Sequence, residues 1–355
     1  MIYQGDYYSD HIYGTLNNNK VKVQTNADAN FLCCELQAIF NGETWSHLFE
    51  IPFFNNEAEF YFENYIHSII TQKFTLPAVD IENYKFYHFG LASINMKLKE
   101  MQQHTVLSEL EHDFYMTLGR FNPIGVDDLS NGLKYLLPTN QTPFLTENGL
   151  LSYSFLSSSL PNQLTINDGE NESEIMLTSA SNGGYLHTLI IPIKHIMSSV
   201  STAYTLSLKF SNGFYFDLGQ VHLLDEGIEH RTIAYQNSCG TLSFFELTGE
   251  LTSYHQYKPN HFEYGIDNYA SLNTTAIAIN QTYSINTGYI LDESKYEMLV
   301  TLLKSFNVFI WDEDWKKIVL SNSQKITPYK SDYYLNNEAL KFKLSKHDAI
   351  HYRSF

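Results

Sequence analysis

Short runs in which apolar and polar residues alternate, each closed by a turn signal, constrain this chain more than any other feature. In ASINMKLKEM, the residues Ile94, Met96 and Leu98 would share one face of a strand. Asn41-Gly42 and Asn212-Gly213 each separate two such runs, and Asn-Gly is the preferred centre of a two-residue hairpin turn. Short strands joined in this way predict β-sandwich-like domains.

The length of 355 residues suits two or three domains, because domains commonly hold roughly 100–200 residues each. We predict an N-terminal arm at 1–20, a β-rich domain at 21–121, a β-sandwich-like domain at 122–230 and a C-terminal α+β domain at 231–355. A cluster of Pro and Gly residues marks the start of the third segment. The predicted fold class is mostly β and multidomain.

Two segments have helical rather than strand spacing. Phe62, Ile66, Ile69 and Ile70 predict a short helix that follows a strand. In the C-terminal domain, Asp292 can cap a second helix, whose predicted apolar stripe has i, i+3, i+4, i+7 spacing and consists of Tyr296, Leu299, Val300 and Leu303. Two closing hairpins are expected after it, FNVFIW with KKIVLS and KITPYK with ALKFKLS.

The N-terminal segment is rich in tyrosine and poor in aliphatic residues. A chain of this kind has little reason to order alone, and tyrosine supplies a large contact area with few rotatable bonds. We therefore expect an arm that orders on assembly, with candidate subunit contacts at Tyr3, Tyr7, Tyr8 and Tyr13.

Charge and cysteine content exclude several classes of protein. The formal net charge of −17 repels nucleic acid and anionic membranes, so we expect no sequence-specific nucleic-acid partner. The first residues lack the basic start and apolar stretch of a secretion signal, and no run reaches the ~18 apolar residues of a membrane helix. Three cysteines, two of them adjacent, do not form a disulfide framework, and we expect buried, reduced thiols.

No motif of catalysis or metal binding is present, and we expect no enzyme activity, no cofactor and no metal. Glu109, Glu111, His112 and Asp113 have side chains that suit divalent ions, but a solvated loop between strands is the favoured interpretation. The acidic runs 312–314 and 168–174 are interpreted as surface turns. The aromatic segments YGIDNYASLN and HYRSF are compatible with core or subunit contacts, which we favour, and with sugar-stacking platforms.

Several phrases, in their order along the chain, resemble tail or baseplate structural proteins of Bacteroidota phages and prophages. They are EFYFENYIHSII, PFLTENGLLSYSFL, the Asn-Ser-x-Gly turn of NSCGTLSFFELTG, the entry Gly288-Tyr289-Ile290, the helix end Leu302-Leu303-Lys304-Ser305 and the strand Val308-Phe309-Ile310. The resemblance covers most of the chain. By analogy of layout alone, the last domain is similar to the split barrels of tail-tube proteins.

The resemblance implies a structural virion protein of the tube, hub or baseplate region, assembled in the host cytoplasm as a ring homo-oligomer. Its partners would be copies of itself and other tail proteins, without membrane insertion. Two alternatives from other classes stay open. One is a carbohydrate-binding or adhesin module of a Bacteroidota surface or tail-tip system, and the other is a glycan-degrading tail enzyme.

Overall fold

The structure is a computed structural model that describes residues 1–25, 28–137, 144–177, 184–196, 202–224, 230–249, 251–266, 269–290, 292–321 and 338–345, and for 255–281 it describes the backbone alone. Strands make up 53% of the chain and helices 11%, which confirms the mostly-β prediction. The chain divides into two compact units. Unit 1 holds Met1–Leu224 and Gln236–Ser243, and unit 2 holds Asp225–Tyr235 and Phe244–Phe355.

The first part of unit 1 contains ten strands and two helices. The strands are β1 Ile2–Tyr3, β2 His11–Gly14, β3 Val21–Gln24, β4 Phe31–Phe40, β5 Glu43–Pro52, β6 Glu57–Phe60, β7 Lys85–Phe89, β8 Ala92–Gln102, β9 Thr105–Thr117 and β10 Ile124–Gly125. The helices are α1 Glu63–Gln72 and α2 Val126–Ser130. As predicted, Asn41-Gly42 closes a hairpin between β4 and β5, with both residues at positive φ (50° and 78°).

The rest of unit 1 is a β sandwich. Its strands are β11 Tyr135–Leu136, β12 Phe144–Leu145, β13 Leu150–Leu156, β14 Gln163–Asn167, β15 Glu172–Met176, β16 Leu186–Pro192, β17 Ala203–Lys209 and β18 Tyr215–Leu223, with a 3₁₀ turn at Ile193–His195. Sheet β11-β13-β16-β7 faces sheet β12-β18-β17-β14-β15. Alternate residues of both sheets, such as Phe155 and Leu206, fill the core between them.

Two further sheets enclose the other large core of unit 1. They have the orders β1-β3-β6 and β10-β2-β9-β8-β4-β5, and α1 buries Ile66, Ile69 and Ile70 against them, as predicted from their spacing. The predicted boundary at residue 121 is crossed by strand pairing. β7 joins the sandwich through β16, and β10 joins β2 in the first sheet system.

Unit 2 is built on one antiparallel sheet covered by a helix. Its elements are β19 Arg231–Gln236, β20 Leu242–Leu247, β21 Leu251–Ile266, β22 Tyr269–Asn286, α3 Glu293–Lys304, β23 Val308–Asp312, β24 Asp314–Leu320 and β25 Ala339–Leu344. The strand order is β20-β19-β23-β24-β25-β22-β21. The predicted helix and the β23–β24 hairpin are present, whereas KITPYK, predicted to pair with β25, lies outside the described residues.

The turn NSCG and the strand ends beside it, Gln236–Ser243, belong to unit 1, whereas the rest of β19 and β20 belongs to unit 2. Asn237 organises it: its Oδ1 accepts hydrogen bonds from the backbone N–H groups of Cys239 (2.9 Å) and Thr241 (3.1 Å). The Thr241 hydroxyl lies 2.7 Å from Ser154 Oγ of β13. The turn is therefore a buried part of unit 1, although the sequence places it within the predicted C-terminal domain at 231–355.

Candidate assembly site

A long two-stranded ribbon is the most prominent feature of unit 2. β21 and β22 pair from Leu251↔Ile285 to Ile266↔Tyr269, with one bulge between Asn260 and His261. β22 pairs with β25 over Tyr283–Asn286 only. From Tyr254 outward, the described strands of the ribbon pair with each other alone, over a length of about 40 Å at ~3.3 Å per residue. The ribbon thus extends well beyond the other described strands of its sheet.

The foot of the ribbon is fixed to the core of unit 2. Ile285 is fully buried among Leu340, Phe342 and residues of α3. The rings of Tyr283 and Phe342 stack with centroids 5.4 Å apart, and Thr252 Oγ1 donates to the backbone oxygen of Ser284 across 3.1 Å. This packing fixes the base from which the ribbon projects.

Two glycines lie where two chain segments meet closely at this foot. Gly288 has φ +70°, and a Cβ there would overlap Thr248 Oγ1. A Cβ on Gly249 would overlap Asn286 Cβ. Only glycine permits such close approach of the two chain segments. The sequence contained both residues, but not the contact that requires them.

Helix α3 begins as predicted, with Asp292 Oδ1 accepting a hydrogen bond from the Lys295 N–H at 2.8 Å. Its buried face differs from the predicted stripe and consists of Lys295, Met298, Leu299 and Leu302. Only Leu299 belongs to both sets. Tyr296, Val300 and Leu303 are half-buried, and Tyr296 and Leu303 lie at the edge of the core.

The burial of Lys295 accounts for the difference between the buried face of α3 and the predicted stripe. Its Nζ donates to the backbone oxygen of Tyr289 across 3.1 Å and lies 5.7 Å from the Phe245 ring centroid. The aliphatic stem can therefore be buried while the ammonium group keeps a polar partner. A pattern that counts lysine as a surface residue cannot place it on the core side.

The N-terminal tyrosines do not form a free arm, which corrects that prediction. Tyr7 and Tyr13 are fully buried in the unit 1 core, and β1 and β2 are strands of its sheets. Tyr3 is half-buried and donates its hydroxyl hydrogen to the Tyr7 backbone oxygen at 2.7 Å. Only Tyr8, with 57% exposure, can offer most of its ring to a partner. Burial raises the pKa of Tyr13 to about 12.

The acidic cluster predicted as a loop lies within strand β9. Alternation along the strand separates its members, so that Glu109 and Glu111 face Lys97 while His112 packs on the opposite side against Tyr3. Asn95 Nδ2 donates to Glu111 Oε1 at 2.6 Å and to Asp113 Oδ1 at 2.8 Å. Within the described residues, no group of three or more His, Cys, Asp or Glu side chains could hold a metal ion.

The other two acidic runs each contain a hairpin turn, at Glu313 and at 168–171, and their remaining residues belong to the flanking strands. Asp312 is paired with Lys316 at 2.7 Å and with Arg231 at 3.3 Å, and these cations hold the pKa of its carboxyl below the ordinary value, the hydrogen bond from Lys316 most strongly. Asp168 Oδ1 accepts from the Glu170 and Asn171 N–H groups. The side chains of YGIDNYASLN and all of HYRSF lie outside the described residues.

All three cysteines are buried free thiols. Burial raises the pKa of Cys34 to about 12 and that of Cys239 to about 11. The pKa of Cys33 is raised as well, again chiefly by burial. Thiols of this kind are poor nucleophiles because the reactive form is the thiolate.

Comparison with known proteins adds little to this geometry. No family model matches the chain, and no curated protein matches it. Among solved structures, it is similar to a Ca²⁺-stabilized adhesin with which an Antarctic bacterium binds ice, at 8% identity, over 95% of this chain and 74% of that one, with a TM-score of 0.16. A likeness at that TM-score supports no inference about fold or function. Across the described residues, no helix is long and apolar enough to span a membrane.

Proposed function

We propose that this protein is a structural component of a phage-like tail, in its tube, hub or baseplate region, and that it acts by ring assembly through contacts between copies. The observation that carries the proposal is the β21–β22 ribbon, whose outer part pairs with no other described strand. The ribbon, rather than the predicted N-terminal arm, would then be the segment that reaches a neighbouring copy. The order of sequence phrases resembling tail proteins supports the same class.

The physical reason lies in the weakness of an isolated ribbon. A two-stranded hairpin alone is marginally stable in water, and stability requires a third strand or a packed face. Beyond Tyr254, neither long edge of the ribbon pairs with another described strand, and strand edges of this kind can bind another chain. A ribbon that reaches from one copy to a different surface of the next makes a heterologous contact, and such contacts close into rings when the rotation permits.

The charge of the chain fits the same role. With a net charge of −17, a ring whose channel carries part of that surplus would let DNA pass without binding it, because like charges repel. Buried free thiols are compatible with assembly in a reducing cytoplasm. The partners are then further copies of the chain and other tail proteins.

A shortened ribbon tests the proposal. Residues 255–281 are replaced by Asn-Gly, so that the pair Tyr254↔Thr282 closes on a two-residue turn. We expect the variant to keep its fold, since the foot and α3 are untouched, but to be absent from assembled particles. The matched control replaces the tip 168–171 of the β14–β15 hairpin by Asn-Gly, and it should assemble normally.

Cross-linking identifies what the ribbon touches. Lys258 is the single lysine of the ribbon sequence. In particles built from a mixture of ¹⁴N and ¹⁵N chains, we expect links from Lys258 between isotopically different copies. Cryo-electron microscopy that finds the chain in single copies, or at a fibre tip with the ribbon free, would overturn the ring proposal. Glycan binding in that case would support the adhesin class, and glycan cleavage the enzyme class.

A further inference from the structure

Two histidines meet across the edge of the sandwich in unit 1. His187 on β16 is directly opposite His88 on β7, and their Nδ1 atoms are 2.7 Å apart. His187 Nε2 lies 2.9 Å from the backbone oxygen of Ser157. The His187 side chain is only 2% exposed, whereas His88 is exposed to solvent.

These partners fix which nitrogen carries each proton. The Ser157 carbonyl can only accept, so His187 Nε2 must be the protonated nitrogen. In neutral His187, Nδ1 is then an acceptor, and His88 Nδ1–H donates to it. A proton added to His88 goes to its Nε2 and leaves this arrangement intact. A further proton on His187, with His88 already protonated, places two Nδ1–H donors against each other, so the hydrogen bond between the rings is lost.

The surroundings give a protonated His187 no compensating charge. A positive charge on His88 also disfavours a proton on His187. Burial lowers the pKa of His187 to about 4, although the carbonyl groups of Ser157 and Gly184 act in the opposite direction. Although His88 is exposed, partial burial of its ring lowers its pKa as well.

The neighbouring elements contribute cations or neutral groups. The ammonium of Lys134 donates to Ser157 Oγ at 3.2 Å, on the residue whose carbonyl holds His187. Lys85 on β7 lies over the Tyr87 ring. The titratable group of β13 is Tyr153, and burial raises the pKa of its hydroxyl. A second positive charge at His187 therefore meets no carboxylate on these elements.

Strand β7 carries His88. Among the described strands it lies at the edge of its sheet and pairs with β16 alone, from Leu186↔Phe89 to Ile190↔Lys85. An edge strand can leave without breaking another strand pair, and local opening costs less than global unfolding.

We propose that His88 and His187 form an acid-sensitive contact that holds β7 on the sandwich, and that protonation of His187 releases β7 and exposes the edge of β16. The neutral pair, or the pair with one proton on His88, keeps the strand bound. The doubly protonated pair does not. The contact makes one edge of the protein responsive to pH between about 6.5, the ordinary histidine value, and 4.

Hydrogen exchange with mass spectrometry on the full chain tests this at pH 7.5 and pH 4.5, with exchange times corrected for the intrinsic rate. In the wild type, we expect protection of β7 to fall on the order of tenfold more than protection of β8. His88→Gln should remove this difference, because its amide can rotate to accept from a protonated His187. His104→Gln, in the exposed turn between β8 and β9, is the control and should behave as the wild type.

Imidazole NMR of the wild type provides a second measurement that needs no variant. His88 should titrate first, and titration of His187 should coincide with the loss of β7 protection. The proposal is overturned if His187 titrates while β7 stays protected, if β7 and β8 lose protection together, or if His88→Gln retains the acid response at an unchanged melting temperature at pH 7.5.

Discussion

The Tyr7 hydroxyl donates a hydrogen bond to Glu63 Oε1 across 2.9 Å, and both side chains are buried. Glu63 opens helix α1, and the same oxygen accepts from the Asn19 N–H at 3.2 Å. The contact joins the first residues of the chain to a helix more than fifty positions later. It converts a segment that looks like a loose arm into part of the core.

Tyr7→Phe should therefore destabilise unit 1. The ring still fills its site, but a buried carboxylate oxygen loses a donor, at a cost of about 1–3 kcal/mol. Tyr8→Phe, at the exposed position, is the control and should change the free energy of unfolding by less than about 0.5 kcal/mol. Urea denaturation measures both. If neither substitution changed the free energy of unfolding, the hydrogen bond from Tyr7 to Glu63 would not stabilise unit 1.

Leu299→Ala should destabilise unit 2 by about 2–5 kcal/mol, because its side chain is fully buried under α3 and alanine would leave a cavity. Val300→Ala is the comparison, since Val300 belongs to the predicted stripe but is only half-buried. We expect a clearly smaller loss there. Thermal melting of both variants checks the order, and a larger effect at Val300 would restore the predicted stripe.

Gly288→Ala should disturb the ribbon foot. The new Cβ would overlap Thr248 Oγ1, in addition to the cost of φ +70°. Gly213→Ala is the matched control, since Gly213 also has a positive φ, +83°, but open space around it. This substitution should lower the free energy of unfolding by only about 1 kcal/mol. Unfolding free energies from denaturant titration separate overlap from backbone strain. Similar losses in both variants would exclude the overlap.

The thiols should resist alkylation in the native state. At pH 8, the raised pKa values of Cys34 and Cys239, about 12 and about 11, leave little thiolate, and burial blocks access. We expect native reaction rates roughly 100-fold or more below those of the urea-unfolded chain. Mass spectrometry after timed iodoacetamide treatment measures each site. Fast labelling of any native cysteine would contradict its burial.

Acid should weaken unit 1 through His187. Its pKa in the folded state, about 4, is below the ordinary value of about 6.5, so the unfolded chain binds more protons in that range. The stabilisation is fully present above pH 6.5 and is lost as pH falls towards 4, by about 2–3 kcal/mol at pH 4.5. Urea titrations at pH 7 and 4.5 measure this, and His187→Gln should reduce the difference between them.

Local chemistry in the sequence determined the elements themselves. Asn41-Gly42 makes its hairpin because both residues accept positive φ. Helix α3 starts at Asp292 because its carboxylate binds the Lys295 N–H. Ile94, Met96 and Leu98 lie buried on one face of β8 because a strand alternates its side chains. Each of these features depends on residues a few positions apart.

Contacts between distant segments decided the rest. Tyr7 is buried because Glu63 and Phe114 lie beside it, and β7 belongs to the sandwich because β16 pairs with it. Lys295 faces the core because the Tyr289 carbonyl accepts a hydrogen bond from its ammonium group. The free length of the ribbon also depends on how far β25 pairs along β22, which among the described strands is only over Tyr283–Asn286. A single sequence contains these residues but not their distances, because long-range pairing is set by the packing of the whole chain.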